Sequence, residues 1–403
     1  MAAVRPGNVA AVSLVAAVVG GVLVLAVAKA AGWLHHGSTT TTVIRQATSG
    51  DAAPVVVAKP LAGNGFQPAQ IYRARATGVV TLFSLFSGGG SAPASAGQGS
   101  GFVVNRDGTI LTSAHVITNA GQGDSGSISP ARSVYVEFSD GDRVPAKIVG
   151  YDLFDDVGVV RVDPSRHPVS PVPLGDSSRV VVGQPVAAIG SPFGNVDSLS
   201  VGVVSAIRRS IPSLTTNYDL VDAIQTDAPI NHGNSGGPLF DARGRVIGIN
   251  AQIRSNGTSS GFEGVGFAVP IDSARRSLEQ LVSTGKVRYA YVGITTEDLT
   301  PSIAKRFGYA AKRGALIDSF AEGNPAGKRA GLKASTRLEL FEGESVRVGG
   351  DAIVAIDGIP VRSAEDVVRI VAERLYPGET ARFSVVNGRN RRTVNVKLDQ
   401  RPG

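Results

Sequence analysis

The sequence predicts a mostly β protein: an antiparallel sandwich or barrel, followed by a smaller α+β unit and preceded by one apolar helix. Three observations carry this. Over residues 66–282, short apolar runs alternate with Gly, Asp, Asn and Pro, the mark of closely spaced strands joined by tight turns. The chain holds 50 Gly among 403 residues and only 18% charged residues. About 7% Gly and 25% charge are usual, so the composition favours turns over long solvated helices. Finally, Val9–Ala28 carries no charge and a single polar side chain, Ser13. A helix of about twenty such residues covers the hydrocarbon core of a bilayer.

The elements follow in order. Arg5 precedes the apolar run, and Lys29 and Trp33 follow it; Trp33, the lone Trp, suits an interfacial anchor. The competing reading is a cleaved signal peptide, because Ala26-Val27-Ala28 has the small-x-small form of a cleavage site. A signal's apolar core runs only about 7–15 residues, which favours the anchor. Either way, the rest of the chain is expected on the extracytoplasmic side of the cell membrane. Residues 1–36 are then a cytoplasmic tip and a transmembrane helix (about 9–28). Residues 37–65, rich in Thr, Ala, Gly and Pro, form a flexible linker. The β domain covers 66–284, with strands such as SGFVVNRDGTILTSA, VGVVRVD and RVIGINAQI. It closes on a helix over Ile271–Leu281, ended by Ser283-Thr284-Gly285. Residues 286–400 form the second unit, with a helix over Ala364–Glu373 and a hairpin turn at Asn387-Gly388.

Composition excludes several classes. Cysteine is absent, so there is no disulfide framework, Cys-zinc ribbon, iron–sulfur cluster or thiol nucleophile. The formal charge of +7 suggests nucleic acid only until it is divided. Residues 286–403 carry 20 Lys/Arg against 14 Asp/Glu, leaving 20 against 19 for the remainder, and no basic run exceeds two residues. Interleaved charge of this kind is a solvated surface, and no nucleic-acid partner is expected. The five His lack ligand spacing, so neither a metal nor another cofactor is expected.

The chemistry concentrates in Asp227-Ala-Pro-Ile-Asn-His-Gly-Asn-Ser-Gly-Gly-Pro238. A Ser among glycines sits in a turn that exposes its hydroxyl and lets nearby N–H groups converge on a developing oxyanion. Serine needs a base, normally His, and a carboxylate to orient that base. His35 and His36 lie at the membrane edge, His167 in a polar turn, and His232 only three residues before Ser235. His115 remains, directly after an apolar strand and among Ser, Ala and Thr. The segment Tyr151-Asp-Leu-Phe-Asp-Asp-Val157 offers three carboxylates. Asp156 precedes a strand that reads as buried, where it would be partly enclosed. Asp152 and Asp155 are expected on an exposed turn.

These segments resemble the HtrA/Deg serine proteases. The matching text is GQGSGFVVNRDGTILTSAHVIT (97–118), DLFDDVGVVRVD (152–163), AIGSPFG (188–194), SVGVVSAIRR (200–209), IQTDAPINHGNSGGPL (224–239) and GVGFAVP (264–270), in family order. The resemblance implies a chymotrypsin-like double six-stranded β-barrel in which His115 is the general base, Asp156 its orienting partner and Ser235 the nucleophile. The N–H groups of Gly233, Asn234 and Ser235 would line the oxyanion hole, and segments 209–222 and 254–263 would be the sensor and activation loops. The position six residues before Ser235 is Pro229, which argues against a basic substrate side chain. Ile230 and Ile253 would instead line a small apolar pocket. In the second unit, Tyr291-Val-Gly-Ile294, NPAGKRAGL (324–332) and VGGDAIVAIDGIPV (348–361) resemble a PDZ domain. By that likeness Tyr291, Val292, Gly293 and Ile294 bind C-terminal peptides, with Val292 and Ile294 flanking a shallow pocket. Residues 334–347 depart from the PDZ pattern and are expected to form a surface hairpin.

The resemblance implies a membrane-tethered, ATP-independent endopeptidase cleaving misfolded or regulatory proteins under control of its PDZ domain. A homotrimer with contacts near Phe66, Tyr72 and Phe83 is implied too. Two alternatives stay open: a chaperone without turnover, and a PDZ peptide-binding scaffold on the same fold.

Overall fold

The computed structural model describes residues 65–86, 95–122, 128–190, 198–213, 215–216, 219–231, 233–251 and 264–402. The apolar run 9–28, Trp33 and the linker 37–64 lie outside them. Among the described residues, no helix is long and apolar enough to cross a membrane.

Twelve strands form two closed barrels. The first uses β1 (Val79–Phe86), β2 (Ser95–Val103), β3 (Thr109–Thr112), β4 (Ser133–Glu137), β5 (Arg143–Asp152) and β6 (Val157–Val162), closed in the order β1-β2-β3-β6-β5-β4. The second uses β7 (Pro185–Gly190), β8 (Ser198–Pro212), β9 (Asp219–Thr226), β10 (Pro238–Phe240), β11 (Val246–Ala251) and β12 (Gly266–Pro270), in the order β10-β11-β12-β9-β8-β7. Closure leaves no exposed sheet edge for another chain to pair with.

The apolar runs are explained by burial on both faces. In β6, Val160 and Val162 point into the first barrel, while Val157 and Val159 join a core shared with the second. In β7, Val186 and Ala188 fill the second barrel, while Ala187 and Ile189 join the same shared core. The period of two thus separates barrel interior from inter-barrel packing. β4 shows the ordinary case, with Val134 and Val136 buried and Tyr135 turned to solvent.

The closing helix runs Ile271–Thr284, three residues beyond its predicted end. It stops at Gly285 in the left-handed region (φ 73°), whose N–H donates to Leu281 O at 2.9 Å. The segment 209–222 differs from the loop expected of it. Residues through Pro212 continue β8, and β9 begins at Asp219, so the two strands extend it as a hairpin.

The second unit combines a sheet with three helices, Pro301–Phe307, Ala326–Arg329 and Ala364–Arg374. Strands β13 (Ala290–Tyr291), β14 (Ile294–Leu299), β15 (Gly314–Phe320), β16 (Arg337–Phe341), β17 (Glu344–Val348), β18 (Ala352–Ile356), β19 (Ile359–Pro360), β20 (Thr380–Asn387), β21 (Asn390–Lys397) and β22 (Asp399–Gln400) succeed one another. The main sheet has the order β14-β15-β18-β20-β21, with β19 on β18. The helix Ala364–Arg374 starts at Ser363, whose hydroxyl accepts from Asp366 N at 3.3 Å. The insertion at 334–347 is the β16–β17 hairpin, with Leu338 and Leu340 exposed.

Where this helix meets β9, two carboxylates face each other. Burial pushes Glu373 up to about 7, the Asp222 charge adds to that, and Arg276 and Arg369 oppose it. Asp222 is likewise raised, by burial first, with Arg369 and Arg208 pulling the other way. A carboxyl held above its unfolded value of about 4.3 supports the folded state at low pH. That support is lost as pH rises through about 7. Glu373→Gln is therefore expected to raise Tm by about 2–4 °C at pH 8 and by less at pH 5. Thermal melts of both proteins at the two pH values test this; an equal change at both would remove Glu373 from the account.

Candidate active site

The site lies where the barrels meet. From the first barrel, the short helix Ala114–Ile117 follows β3 and carries His115, while the turn before β6 carries Asp156. His115 Nδ1 lies 2.7 Å from Asp156 Oδ2, and the His115 backbone N–H donates to Asp156 Oδ1 at 2.9 Å. Both carboxylate oxygens are thus used, one to fix the backbone and one to hold the ring. Asp156 adopts φ 51°, a left-handed conformation uncommon outside glycine, and its carbonyl accepts from Ala114 N at 3.1 Å. His115 and Asp156 are both buried. Burial pulls the imidazole down, but the Asp156 charge and hydrogen bond outweigh it and hold His115 above its ordinary value.

The second barrel supplies residues 233–237, the turn leading into β10. Gly233 (φ 101°) and Gly236 (φ 83°) take backbone conformations closed to most side chains. A Cβ on Gly236 would also collide with Ser100 O and Thr112 Oγ1. The first barrel clamps this turn. Ser100 Oγ donates to Gly233 O at 2.5 Å, Ser100 N to Ser235 O at 2.8 Å, and Thr112 Oγ1 to Ser100 O at 2.6 Å. From its own barrel, Gly236 N donates to Asn250 O at 2.8 Å. The sequence reading missed the Ser100–Thr112 clamp. Its one signal was a run of small polar residues flanking the His115 segment.

Ser235 is buried, and neither its Oγ nor His115 Nε2 makes a hydrogen bond among the described residues. Of the three amides expected to face an oxyanion, that of Asn234 donates to Asn231 O at 3.0 Å. The Gly233 and Ser235 amides have no such acceptor among the described residues. The arrangement can store a proton on a buried imidazolium beside a carboxylate, with the Gly233 and Ser235 amides unpaired among the described residues.

Other predicted residues are placed as follows. Ile230 is packed in the second barrel's core with Val186, Ala188 and Leu239, and its Cγ1 would lie 2.8 Å from a Cβ on Gly266. Ile253, His232 and segment 254–263 fall outside the described residues. Asp152 and Asp155, expected on an exposed turn, are instead buried. Asp152 Oδ2 accepts from Ser277 Oγ (2.6 Å) and Tyr289 Oη (2.5 Å), and Asp155 pairs with Arg276 at 2.9 Å. These partners come from the closing helix and the start of the second unit, more than 120 residues along the chain, and they cover the turn. Burial, with the Asp155 charge next, pushes Asp152 up to about 6.

Tyr291, Val292, Gly293 and Ile294 line a cavity of about 510 Å³ between β14 and the helix Ala364–Arg374, closed on one side by Ser210, Asp219 and Val221. The Val292 and Gly293 carbonyls accept from Gly327 N (2.8 Å) and Ala321 N (3.0 Å), while their amides have no such partner among the described residues. Free amides beside apolar walls suit a carboxylate terminus.

Comparison with known proteins adds two family matches. Residues 99–249 match the trypsin-like peptidase domain, and residues 290–398 match the PDZ domain. A probable periplasmic serine endoprotease, DegP-like, from Pseudomonas fulva is 36% identical over 315 residues, covering 78% of this chain and 58% of the relative. Protease Do-like 1, chloroplastic, from Arabidopsis thaliana is 38% identical over 307 residues, covering 76% and 64%. The chain therefore spans less than two thirds of the length of these relatives. Among solved structures, the HtrA-type protease AlgW with tripeptide aligns at TM-score 0.67 and 28% identity, over 84% of this chain and 98% of that one.

Proposed function

The chain belongs to the HtrA/Deg family of trypsin-like serine proteases with a PDZ domain, and from that membership we propose that it is a serine endopeptidase of the cell envelope. The supporting observation is the buried His115–Asp156 pair beside Ser235 at the barrel interface. In this reading residues 66–284 are the protease domain and 286–400 the PDZ domain. Ser235 Oγ attacks the scissile carbonyl as His115 Nε2 accepts its proton, and Asp156 stabilises the imidazolium. The Gly233 and Ser235 amides bind the oxyanion; Asn234 joins them only if its bond to Asn231 breaks. His115 then protonates the departing amine, and water, deprotonated by the same imidazole, releases the acyl group. No step uses ATP.

Misfolded or regulatory polypeptides are the substrates, with small apolar side chains received beside Ile230 and Ile253. C-terminal peptides seat on Tyr291–Ile294 and regulate cleavage. The run 9–28 tethers the enzyme to the cytoplasmic membrane with both domains outside, and three copies associate near Phe66, Tyr72 and Phe83. The periplasmic naming of relatives supports the location.

A fluorophosphonate tests the central claim, because an activated serine attacks its phosphorus, expels fluoride and is left phosphonylated. The adduct is expected at Ser235, on the full chain with unfolded protein or C-terminal peptide present; no label there would sink the enzyme reading. The rate also has a predicted pH profile. His115 must be neutral to act as base, and its partner holds it above the ordinary His value of about 6.5. The ascending limb of kcat/KM is therefore expected above pH 6.5. A midpoint clearly below 6.5 would contradict the pairing.

A further inference from the structure

The turn Asp152–Asp156 carries the orienting carboxylate, yet much of what holds it comes from the far end of the chain. Asp156 needs outside support, since its left-handed backbone (φ 51°) persists only where the surroundings over-determine it. Seven contacts hold the turn, six of them from outside it. Asp152 Oδ1 accepts from Phe154 N at 3.0 Å, while Asp152 Oδ2 takes the hydroxyls of Ser277 (2.6 Å) and Tyr289 (2.5 Å). Asp155 is paired with Arg276 at 2.9 Å. The Phe154 ring meets Tyr289 edge-on at 5.3 Å and lies under the Arg401 guanidinium at 4.3 Å. Thr215 Oγ1 donates to Leu153 O. Tyr289 is itself buried, and its carbonyl accepts from Arg401 N at 2.9 Å. Its ring also lies beside Arg276.

We propose that Asp152 and Tyr289 are positioning residues for the acid–base pair: the Ser277–Asp152–Tyr289 hydrogen bonds fix the turn and thereby aim Asp156 at His115. The inference rests on the proposed acyl-transfer role of Ser235. Asp152 is 3% and Tyr289 3% exposed, so a substrate polypeptide touches neither. Both act only through Asp156, four residues from Asp152. The charged and titratable groups around this turn are Asp155, Arg276, Tyr289 and Arg401, with Glu373 in electrostatic reach of Asp155 and Arg276, Asp222 in reach of Asp155, and His115 on the far side of Asp156. Loosening the turn weakens the hold of Asp156 on the imidazole, and that hold is what lifts His115 above its ordinary value.

The test is the rate of Ser235 phosphonylation by a small fluorophosphonate, measured from pH 5 to 9 on the full chain, with peptide kcat and KM alongside. Tyr289→Phe removes one hydroxyl without changing ring volume. It is expected to slow phosphonylation about tenfold, to move the ascending limb to lower pH, and to lower kcat with KM unchanged. Ser277→Ala, which deletes the other donor to Asp152, is expected to shift the limb the same way and decides the matter should Tyr289→Phe not fold. If the variants melt at lower temperature but keep the wild-type rate and limb, Tyr289 and Asp152 only stabilise the fold, and the proposal is overturned. If wild type takes no label at Ser235, the endopeptidase reading falls and this inference with it. The two failures are distinct, because the first requires a labelled wild type.

Discussion

Ser235→Ala is expected to lower kcat by about 10⁶-fold while leaving Tm unchanged or slightly higher. The size follows from triads acting as units: loss of the nucleophile removes nearly everything except binding and the oxyanion donors. The stability half follows from burial. Ser235 Oγ is enclosed and makes no hydrogen bond among the described residues, so its removal deletes no bond seen there and relieves a desolvated hydroxyl. A casein-type assay and a thermal melt on the same preparation measure both halves. Residual cleavage within tenfold of wild type would remove Ser235 from the mechanism. Casein handling that survives without cleavage would point to a chaperone without turnover.

The second large effect is expected from Asp156→Asn, at about 10⁴-fold in kcat. The geometry explains why an isosteric change costs so much. Oδ1 accepts the His115 backbone N–H, and Oδ2 faces His115 Nδ1. An asparagine keeps the first bond with its carbonyl oxygen, which leaves its NH₂ facing Nδ1. The ring must then put its own proton on Nε2, the atom that should receive the proton of Ser235. The loss is expected to shrink at high pH, where free hydroxide substitutes for the base. A variant within tenfold of wild type at pH 7.5 would assign the orienting role to another carboxylate.

Much of this site could be read from the chain alone, and the physical reasons are local. His115 stood out because five histidines left few candidates, and Ser235 because glycines on both sides announce a constrained turn. The barrel strands declared themselves through short apolar runs, although which valines face the barrel interior and which face its neighbour emerges only from the structure. What escaped was everything dependent on distant packing. Asp152 looks exposed in a polar turn, and its burial depends on Ser277 and Tyr289, 125 and 137 residues away. The Ser100 clamp on Gly233 spans 133 residues. Neither leaves a periodic or spacing signal. The Asn234 amide shows a different limit: its bond to Asn231 reflects a local backbone choice among glycines that sequence composition leaves open. Of segment 209–222, residues 209–212 and 219–222 are strand, because their pairing extends the β8–β9 hairpin beyond what their local sequence suggests.

The division of the site between two barrels has a consequence for how the molecule is made. His115 and Asp156 come from the first barrel, but Ser235 and the Gly233 amide belong to a turn that the second barrel builds and Ser100 of the first clamps. During synthesis or export from the N-terminus, the base and its carboxylate emerge before residue 235, and the Ser277 and Tyr289 contacts that fix their turn emerge later still. The nascent chain therefore passes its most vulnerable stage, with strands unpaired and backbone open to attack, holding a base that has nothing to activate. On the proposed mechanism, cleavage waits until the last barrel strands close and the Asp152 contacts form.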